Sequence, residues 1–243
     1  MKLLFSFLIF GLSYLFAQEQ APMINLSVAA VDQPAQFVRT INIAIILALL
    51  VLAPTLLLMV TSFTRIVIVF SLLRQALGLQ QTPPTQIIIS LALIMTVFIM
   101  EPYAKKSWET GIKPYMEEKI GYEEALKNGI DPFKQFMIKN TREADLALFY
   151  RIKKEENPKN IEDVSITILM PAFIVSELRT AFEIGFLIFL PFLVIDIIVS
   201  SILMSLGMMM LPPVMISLPI KIIFFIVIDG WALIIGNLAQ SFK

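Results

Sequence analysis

Four long apolar segments dominate this chain, at about residues 41–70, 87–100, 184–206 and 214–238. A helix needs about 20 apolar residues to cross the hydrocarbon core of a bilayer, and all but the second segment reach that length. Hydrophobic residues make up 58% of the chain, whereas soluble domains contain about 45–50%. The pattern therefore predicts an all-α integral membrane protein.

The first 17 residues have the form of a secretory signal peptide. Lys2 supplies a positive charge, an apolar run follows, and Ala17 precedes a polar stretch, which is the arrangement that signal peptidase substrates share. We expect cleavage after Ala17. Leu15 departs from the pattern, because a small residue is preferred at that position. The alternative is therefore an uncleaved amphipathic anchor. Residues 18–40 are then a periplasmic N-terminal segment.

Turn-forming residues divide the four apolar segments into two pairs. Pro83-Pro84 lies between the first two segments, and the glycine- and proline-containing stretch 207–213 lies between the last two. Proline and glycine of this kind favour tight connections. The sequence therefore predicts two helical hairpins, residues 41–103 and residues 185–238, the second with a methionine-rich tip.

A charged segment, residues 104–184, joins the two hairpins and holds 13 of the 19 basic and 14 of the 19 acidic residues. Opposite charges three and four residues apart indicate several short helices with no sheet. Asp131-Pro132 predicts a helix start, because aspartate caps helices and proline suits their first position. If the N-terminus is exported, this segment and the tail, residues 239–243, face the periplasm, and both hairpin turns face the cytoplasm.

The chain contains no cysteine and no histidine, and its net charge is zero. These absences exclude disulfides and thiolate metal sites, and they remove the commonest general base. A neutral chain is not expected to bind nucleic acid, which needs a basic surplus. No GxxxxGK[ST] pattern occurs, so nucleotide hydrolysis is not expected. The sequence predicts a protein that is not an enzyme and needs no cofactor and no metal.

Four ionisable residues interrupt the apolar segments: Arg65, Asp196, Lys221 and Asp229. Such residues are costly in a membrane and usually functional. Arg65 lies near a segment end, where a long side chain can extend to the interface. Asp196 and Lys221 each lie about ten residues from the second turn, so we expect them at one depth, either paired or lining a pore or subunit interface.

Two other function classes follow from the same residues. Asp196 and Asp229 could form the shared-proton carboxylate pair of an intramembrane aspartyl protease, although neither lies in a Gly-x-Gly-Asp context. Asp196 and Lys221 could instead relay ions in a small transporter, although the two hairpins show no inverted-repeat similarity.

Two further groups are candidate contact sites. The first group precedes the third apolar segment and contains Glu177, Arg179 and Glu183. It forms either a solvated helix face or an inter-subunit contact. The second group occupies the second turn and contains Met208, Met209 and Met210. Methionine is unbranched and adaptable. Rotational symmetry would arrange such tips into a deformable apolar constriction; the alternative is a tip that rests in lipid.

One recognisable stretch is PAFIVSEL at residues 171–178. The others are residues 61–65, 72–78, 83–84, 182–186, 191–196, 211–213, 218–221 and 229–231. Together these stretches resemble the FliP/SctR family of type III secretion export-gate subunits.

The resemblance implies an all-helical pentamer that assembles with FliQ and FliR into a channel for unfolded flagellar subunits. FlhB and FlhA of the export apparatus and the basal-body membrane ring are further implied partners, in the bacterial inner membrane. The family's methionine gasket corresponds to Met208, Met209 and Met210. The resemblance also implies a gate raised largely out of the bilayer plane, in a flagellum or, alternatively, in a virulence injectisome.

Overall fold

The structure is a computed structural model that describes residues 34–156, 158, 163–208 and 210–242. The predicted signal peptide and most of the segment after it lie outside the described residues, as does Met209. The described part contains helices and no strand. Its α-helices are α1 Pro34–Met59, α2 Phe63–Ala76, α3 Thr85–Ser107, α4 Lys113–Met116, α5 Tyr122–Asn140, α6 Glu143–Lys153, α7 Ile166–Ser205, α8 Pro213–Val227 and α9 Gly230–Gln240, with a π-helical turn at Trp108–Ile112.

The chain divides into two compact units, one up to Val51 and one from Leu52 onward. The described part of the first unit is the N-terminal stretch of α1, in which the apolar side chains described between Ile41 and Val51 are exposed. All the other helices belong to the second unit.

Within the described residues, two helices are long and apolar enough to cross a membrane: α7, and α3 with its continuation to Met116. The fourth predicted segment is not one straight helix, because α8 and α9 bend by 65° around Asp229. The backbone of Asp229 is left-handed, with φ +51°, which a continuous α-helix cannot contain. The pair can form a third span only as a broken one.

The first predicted segment, residues 41–70, is likewise divided. Helix α1 ends at Met59 and α2 begins at Phe63. The Thr61 hydroxyl donates to the Leu58 carbonyl at 2.9 Å and accepts from the Phe63 amide at 3.4 Å. Such local bonds replace helical backbone bonds, so an apolar run can end a helix without proline or glycine.

Helix α2 packs along α7, and the two run in the same direction. Ile66, Val69 and Phe70 of α2 share a buried cluster with Ala181 of α7. A Cβ atom added to Gly185 would lie 2.2 Å from the end of the Leu72 side chain, so a larger residue here would force Leu72 to move. Because α2 and α7 are parallel, the turns that follow them both lie beyond the C-terminal ends of this pair.

The charged segment is an ordered helical layer on the ends of α3 and α7. Its core contains Phe136 and Met137 of α5, together with Met100 of α3 and Phe173 of α7. The predicted boundary at residue 184 falls inside α7, which starts at Ile166. The water-facing part and the spans therefore share helices.

The predicted helix start at Asp131-Pro132 is wrong, because α5 runs through it from Tyr122. Proline removes the backbone donor that would bond the Asn128 carbonyl. Thr110 of the π-helical turn places its hydroxyl 3.2 Å from that carbonyl and 2.9 Å from the Lys106 carbonyl, and its single proton is shared between the two acceptors. The acceptor that Pro132 leaves free thus has a partial tertiary contact, and the helix continues.

Candidate functional site

Arg65 and Glu177 form a buried ion pair between the first turn of α2 and the middle of α7. The guanidinium binds the carboxylate through two bonds, Nε to Oε2 at 2.9 Å and Nη2 to Oε1 at 2.5 Å. Arg65 is 2% exposed and Glu177 is 0% exposed. Two parallel bonds of this kind are strong and directional, so the pair sets the register between the two helices.

The C-terminal residues complete the surroundings of Arg65. Its Nη1 donates to the Ser241 carbonyl and hydroxyl oxygens, each at 2.9 Å, and the Phe242 ring centroid lies 4.0 Å from Cζ. Nη2 also approaches Asn140 Oδ1 at 3.5 Å. The expectation that Arg65 extends to the membrane interface is therefore wrong: its donors are satisfied inside the protein.

Ser176, next to Glu177, belongs to a second buried polar contact. Its hydroxyl donates to Asp145 Oδ2 at 2.7 Å and accepts from the Arg142 amide at 3.1 Å. Asp145 lies in the first turn of α6, where a negative charge is favoured by the helix dipole. Sequence reasoning missed Asp145, because it resembles the solvated acids around it.

Glu177 therefore faces inward, whereas Arg179 and Glu183 lie exposed on the other side of α7. Glu183 binds Arg142, the residue just before α6, at 2.5 Å and Arg179 at 3.3 Å. The inward placement leaves no surface of Glu177 for a neighbouring subunit, so that part of the inter-subunit prediction is not supported. For Arg179 and Glu183 an inter-subunit contact stays a prediction.

The structure brings Asp196 and Lys221 together, as their equal spacing from the turn predicts. Lys221 Nζ donates to Asp196 Oδ2 at 2.6 Å and to the Ala76 carbonyl at 3.3 Å. Lys221 is 5% exposed, and Asp196 Oδ1 is buried without a hydrogen-bond partner in the described residues. Since Ala76 ends α2, this ammonium joins α2, α7 and α8.

Asp229 is not brought to Asp196. It lies exposed at the bend between α8 and α9, eight residues beyond Lys221, which corresponds to about 12 Å of helix. Neither Asp196 oxygen accepts a bond from Asp229, since Lys221 holds Oδ2 and Oδ1 has no described partner. The described residues thus contain no shared-proton carboxylate pair, so the geometry does not support the protease alternative.

The methionine-rich tip projects from a defined helix end. Gly207, with φ +73°, follows α7; its amide donates to the Met204 carbonyl and the Met208 amide to the Leu203 carbonyl, both at 3.0 Å. This is the Schellman arrangement, which ends a helix with a left-handed glycine. Met210 is 100% exposed, so its thioether is free to contact another molecule.

A family model described as "FliP family" matches residues 46–238 of this chain. The chain belongs to the FliP family. The match runs from α1 into α9, so it includes both buried ion pairs and the methionine-rich tip.

Three relatives, each named "Flagellar biosynthetic protein FliP", illustrate the FliP match. The Bacillus subtilis protein is 48% identical over 211 residues, 87% of this chain and 96% of its own length. The Caulobacter vibrioides protein is 48% identical over 205 residues, covering 84% of this chain and 77% of its own length. The Rhizobium meliloti protein is 49% identical over 199 residues, 81% of each chain.

The packing of α7 explains four residues of the PAFIVSEL stretch. Ala172 and Phe173 are buried in the core, Ser176 binds Asp145, and Glu177 binds Arg65. These four residues form an inward-facing stripe of α7, although the exposed Arg179 and Glu183 nearby suggested a solvated face.

Proposed function

We propose that this FliP-family chain is a core subunit of the flagellar type III protein export gate. It lies in the bacterial inner membrane, within the flagellar basal body, and unfolded flagellar subunits pass through the channel that it helps to form. The relatives' printed name, flagellar biosynthetic protein, supports the flagellar setting. Helices long and apolar enough to cross a membrane support the membrane location.

The chain acts as a homo-pentamer that binds FliQ and FliR, with FlhB, FlhA and the basal-body membrane ring as further partners. Large apolar side chains lie exposed along α7 and α8, and they support an extensive contact surface between this chain and these partners. The most exposed on α7 and α8 are Phe182, Phe186, Leu187, Met204, Val214, Met215, Ile223, Ile226 and Val227. A single chain in water cannot leave so much apolar surface open, so neighbouring subunits and lipid cover it.

The observation that carries the proposal is the methionine-rich tip between α7 and α8. Met210 is fully exposed and Met208 is 42% exposed at the end of a long hairpin. Rotational symmetry places five such tips around one axis. Thioethers adapt to irregular surfaces, so the ring closes an empty channel and yields to a passing chain of any sequence.

The direction of the hairpins supports the proposed sidedness. Both turns lie at the cytoplasmic end, and the charged layer built on α5 and α6 lies on the periplasmic side. That layer carries salt bridges at its surface, including Lys153–Glu155 at 2.9 Å, as a water-facing layer should.

Alanine at Met208, Met209 and Met210 together tests the gasket. We expect the variant to assemble with FliQ and FliR, measured by native mass spectrometry, and to pass potassium ions faster than the wild type in proteoliposomes. Met116→Ala is the matched control, because Met116 is exposed in the charged layer and far in sequence from the tip. Potassium flux equal to that of the wild type, in a fully assembled variant, would refute the gasket.

A further inference from the structure

An apolar cavity of about 310 Å³ lies between the end of α2, the connection to α3, and the α8–α9 bend. Its walls include Phe70 and Leu77 from the first hairpin and Ile222, Phe225 and Trp231 from the second. The volume is within the range of pockets that hold small ligands.

Arg74 also lines this cavity, and it has no counter-ion. Its Nη1 donates to the Pro83 carbonyl at 3.3 Å and to the Thr85 hydroxyl at 3.2 Å, and its Nε is buried without a partner. No carboxylate binds it in the part of the chain that the structure describes. By contrast, the buried cations Arg65 and Lys221 each bind a carboxylate.

We propose that the cavity binds an anionic phospholipid, with one acyl chain among the apolar side chains and the phosphate on the Arg74 guanidinium. The charge and the apolar walls lie side by side, which matches an amphiphile with an anionic head. Basic pockets between membrane helices bind anionic head groups in this way. Trp231 favours the depth at which head groups meet the hydrocarbon.

The lining distinguishes a lipid from a peptide segment. A peptide carries an amide donor and a carbonyl acceptor at every residue, and each costs free energy if buried without a partner. Around the cavity, polar side chains are confined to Arg74 and Thr82. An acyl chain has no polar group to satisfy, so it fills the space between these walls without burying an unpaired polar group.

Because the cavity walls come from both hairpins, the lipid contacts both and joins them. This inference depends on the membrane location and not on the export function.

Quenching of Trp231 by brominated lipid tests the proposal directly. The full chain contains two tryptophans, so Trp108→Phe leaves Trp231 as the only reporter. This chain is reconstituted into phosphatidylcholine vesicles with a small fraction of phosphatidylglycerol, and bromine is placed on the acyl chains of one lipid at a time. We expect brominated phosphatidylglycerol to quench Trp231 several-fold more than brominated phosphatidylcholine at an equal mole fraction.

Three variants in the same background separate head-group binding from cavity filling. Arg74→Gln removes the preference for phosphatidylglycerol, whereas Arg151→Gln, which removes a charge from the exposed face of α6, leaves it unchanged. Ile222→Trp fills the cavity while keeping Arg74 and its contacts. It reintroduces a tryptophan, so its lipid retention is measured by native mass spectrometry, where we expect bound phosphatidylglycerol to be lost.

Equal quenching by the two lipids would overturn the proposal, as would unchanged phosphatidylglycerol retention in Ile222→Trp. The measurement is repeated on the pentamer with FliQ and FliR. A preference that is present in the single chain and absent from the pentamer would show that a neighbouring subunit, and not a lipid, occupies the cavity.

Discussion

Removing the Arg65 guanidinium should destabilise the chain more than a typical substitution does. Arg65→Met keeps an unbranched apolar stem of similar length but deletes both bonds to Glu177 and both bonds to Ser241. The Glu177 carboxylate, which is 0% exposed, then lies buried without a cation. The ion pair in the wild type offsets the cost of removing this carboxylate from water. Without Arg65, that desolvation cost dominates the change in stability.

The size of the effect follows from that uncompensated charge. Removing one partner of a buried ion pair costs about 3–5 kcal/mol. In a chain of 150–250 residues, 1 kcal/mol shifts the midpoint of thermal unfolding by about 2–4 °C. We therefore expect Tm to fall by about 6–20 °C, measured in detergent by tryptophan fluorescence.

A double-mutant cycle separates the ion pair from general damage to packing. Replacing both partners by apolar groups, Arg65→Met with Glu177→Leu, removes the uncompensated charge together with its partner. We expect the double variant to be more stable than the sum of the single variants predicts, by about 1–3 kcal/mol. Arg179→Met on the exposed face of α7 is the control, and its Tm should equal that of the wild type. Additive single effects, or a Tm for Arg65→Met equal to the control, would refute the reasoning.

Two further substitutions test the packing of the charged layer and the second ion pair. Gly111→Ala would place a Cβ atom 2.7 Å from the Gly129 backbone nitrogen, and rigid backbone cannot move away. We therefore expect this variant to lower Tm. Gly121→Ala is the control, because the space around Gly121 is open and its Tm should not fall. Lys221→Met leaves Asp196 without its cation and should lower the free energy of unfolding by about 1–3 kcal/mol. This loss is smaller than for Arg65→Met because Asp196 is partly exposed and water screens its charge. Adding Asp196→Leu should restore part of that loss in the same unfolding assay, and no recovery would contradict the pairing.

The two ion pairs show which contacts a sequence can reveal. Asp196 and Lys221 lie on the two arms of one hairpin, so distance from a shared turn predicts their depth. Arg65 and Glu177 lie on different hairpins, 112 residues apart, and no turn relates them. Their contact depends on α2 packing in parallel along α7, which periodicity within a single helix does not encode.

Helix boundaries were the least predictable feature, because apolar composition indicates burial and not continuity. The breaks after Met59 and at Asp229 depend on local hydrogen bonding and on one left-handed residue. The opposite error occurred at Pro132, where α5 continues through a strong local signal for a helix start and the Thr110 hydroxyl lies 3.2 Å from the carbonyl that proline leaves free. In each case the outcome depends on the backbone of one or two residues.

Buried charge has a structural use in this fold that apolar packing cannot supply. In a membrane, lipid is as apolar as the helix surfaces, so apolar contact alone discriminates poorly between registers of two helices. Small residues at Ala181 and Gly185 let α2 approach α7 but would also permit sliding. A slip of one helical turn is about 5.4 Å, which would break the Arg65–Glu177 pair at one end of α2. The same slip would break the Lys221 contacts at the other end. Each end of α2 is held through a carboxylate of α7, Glu177 directly and Asp196 through Lys221 of α8, so only one register satisfies both. That register also fixes where the end of α7 lies relative to α2, and therefore how far the methionine-rich tip projects beyond it.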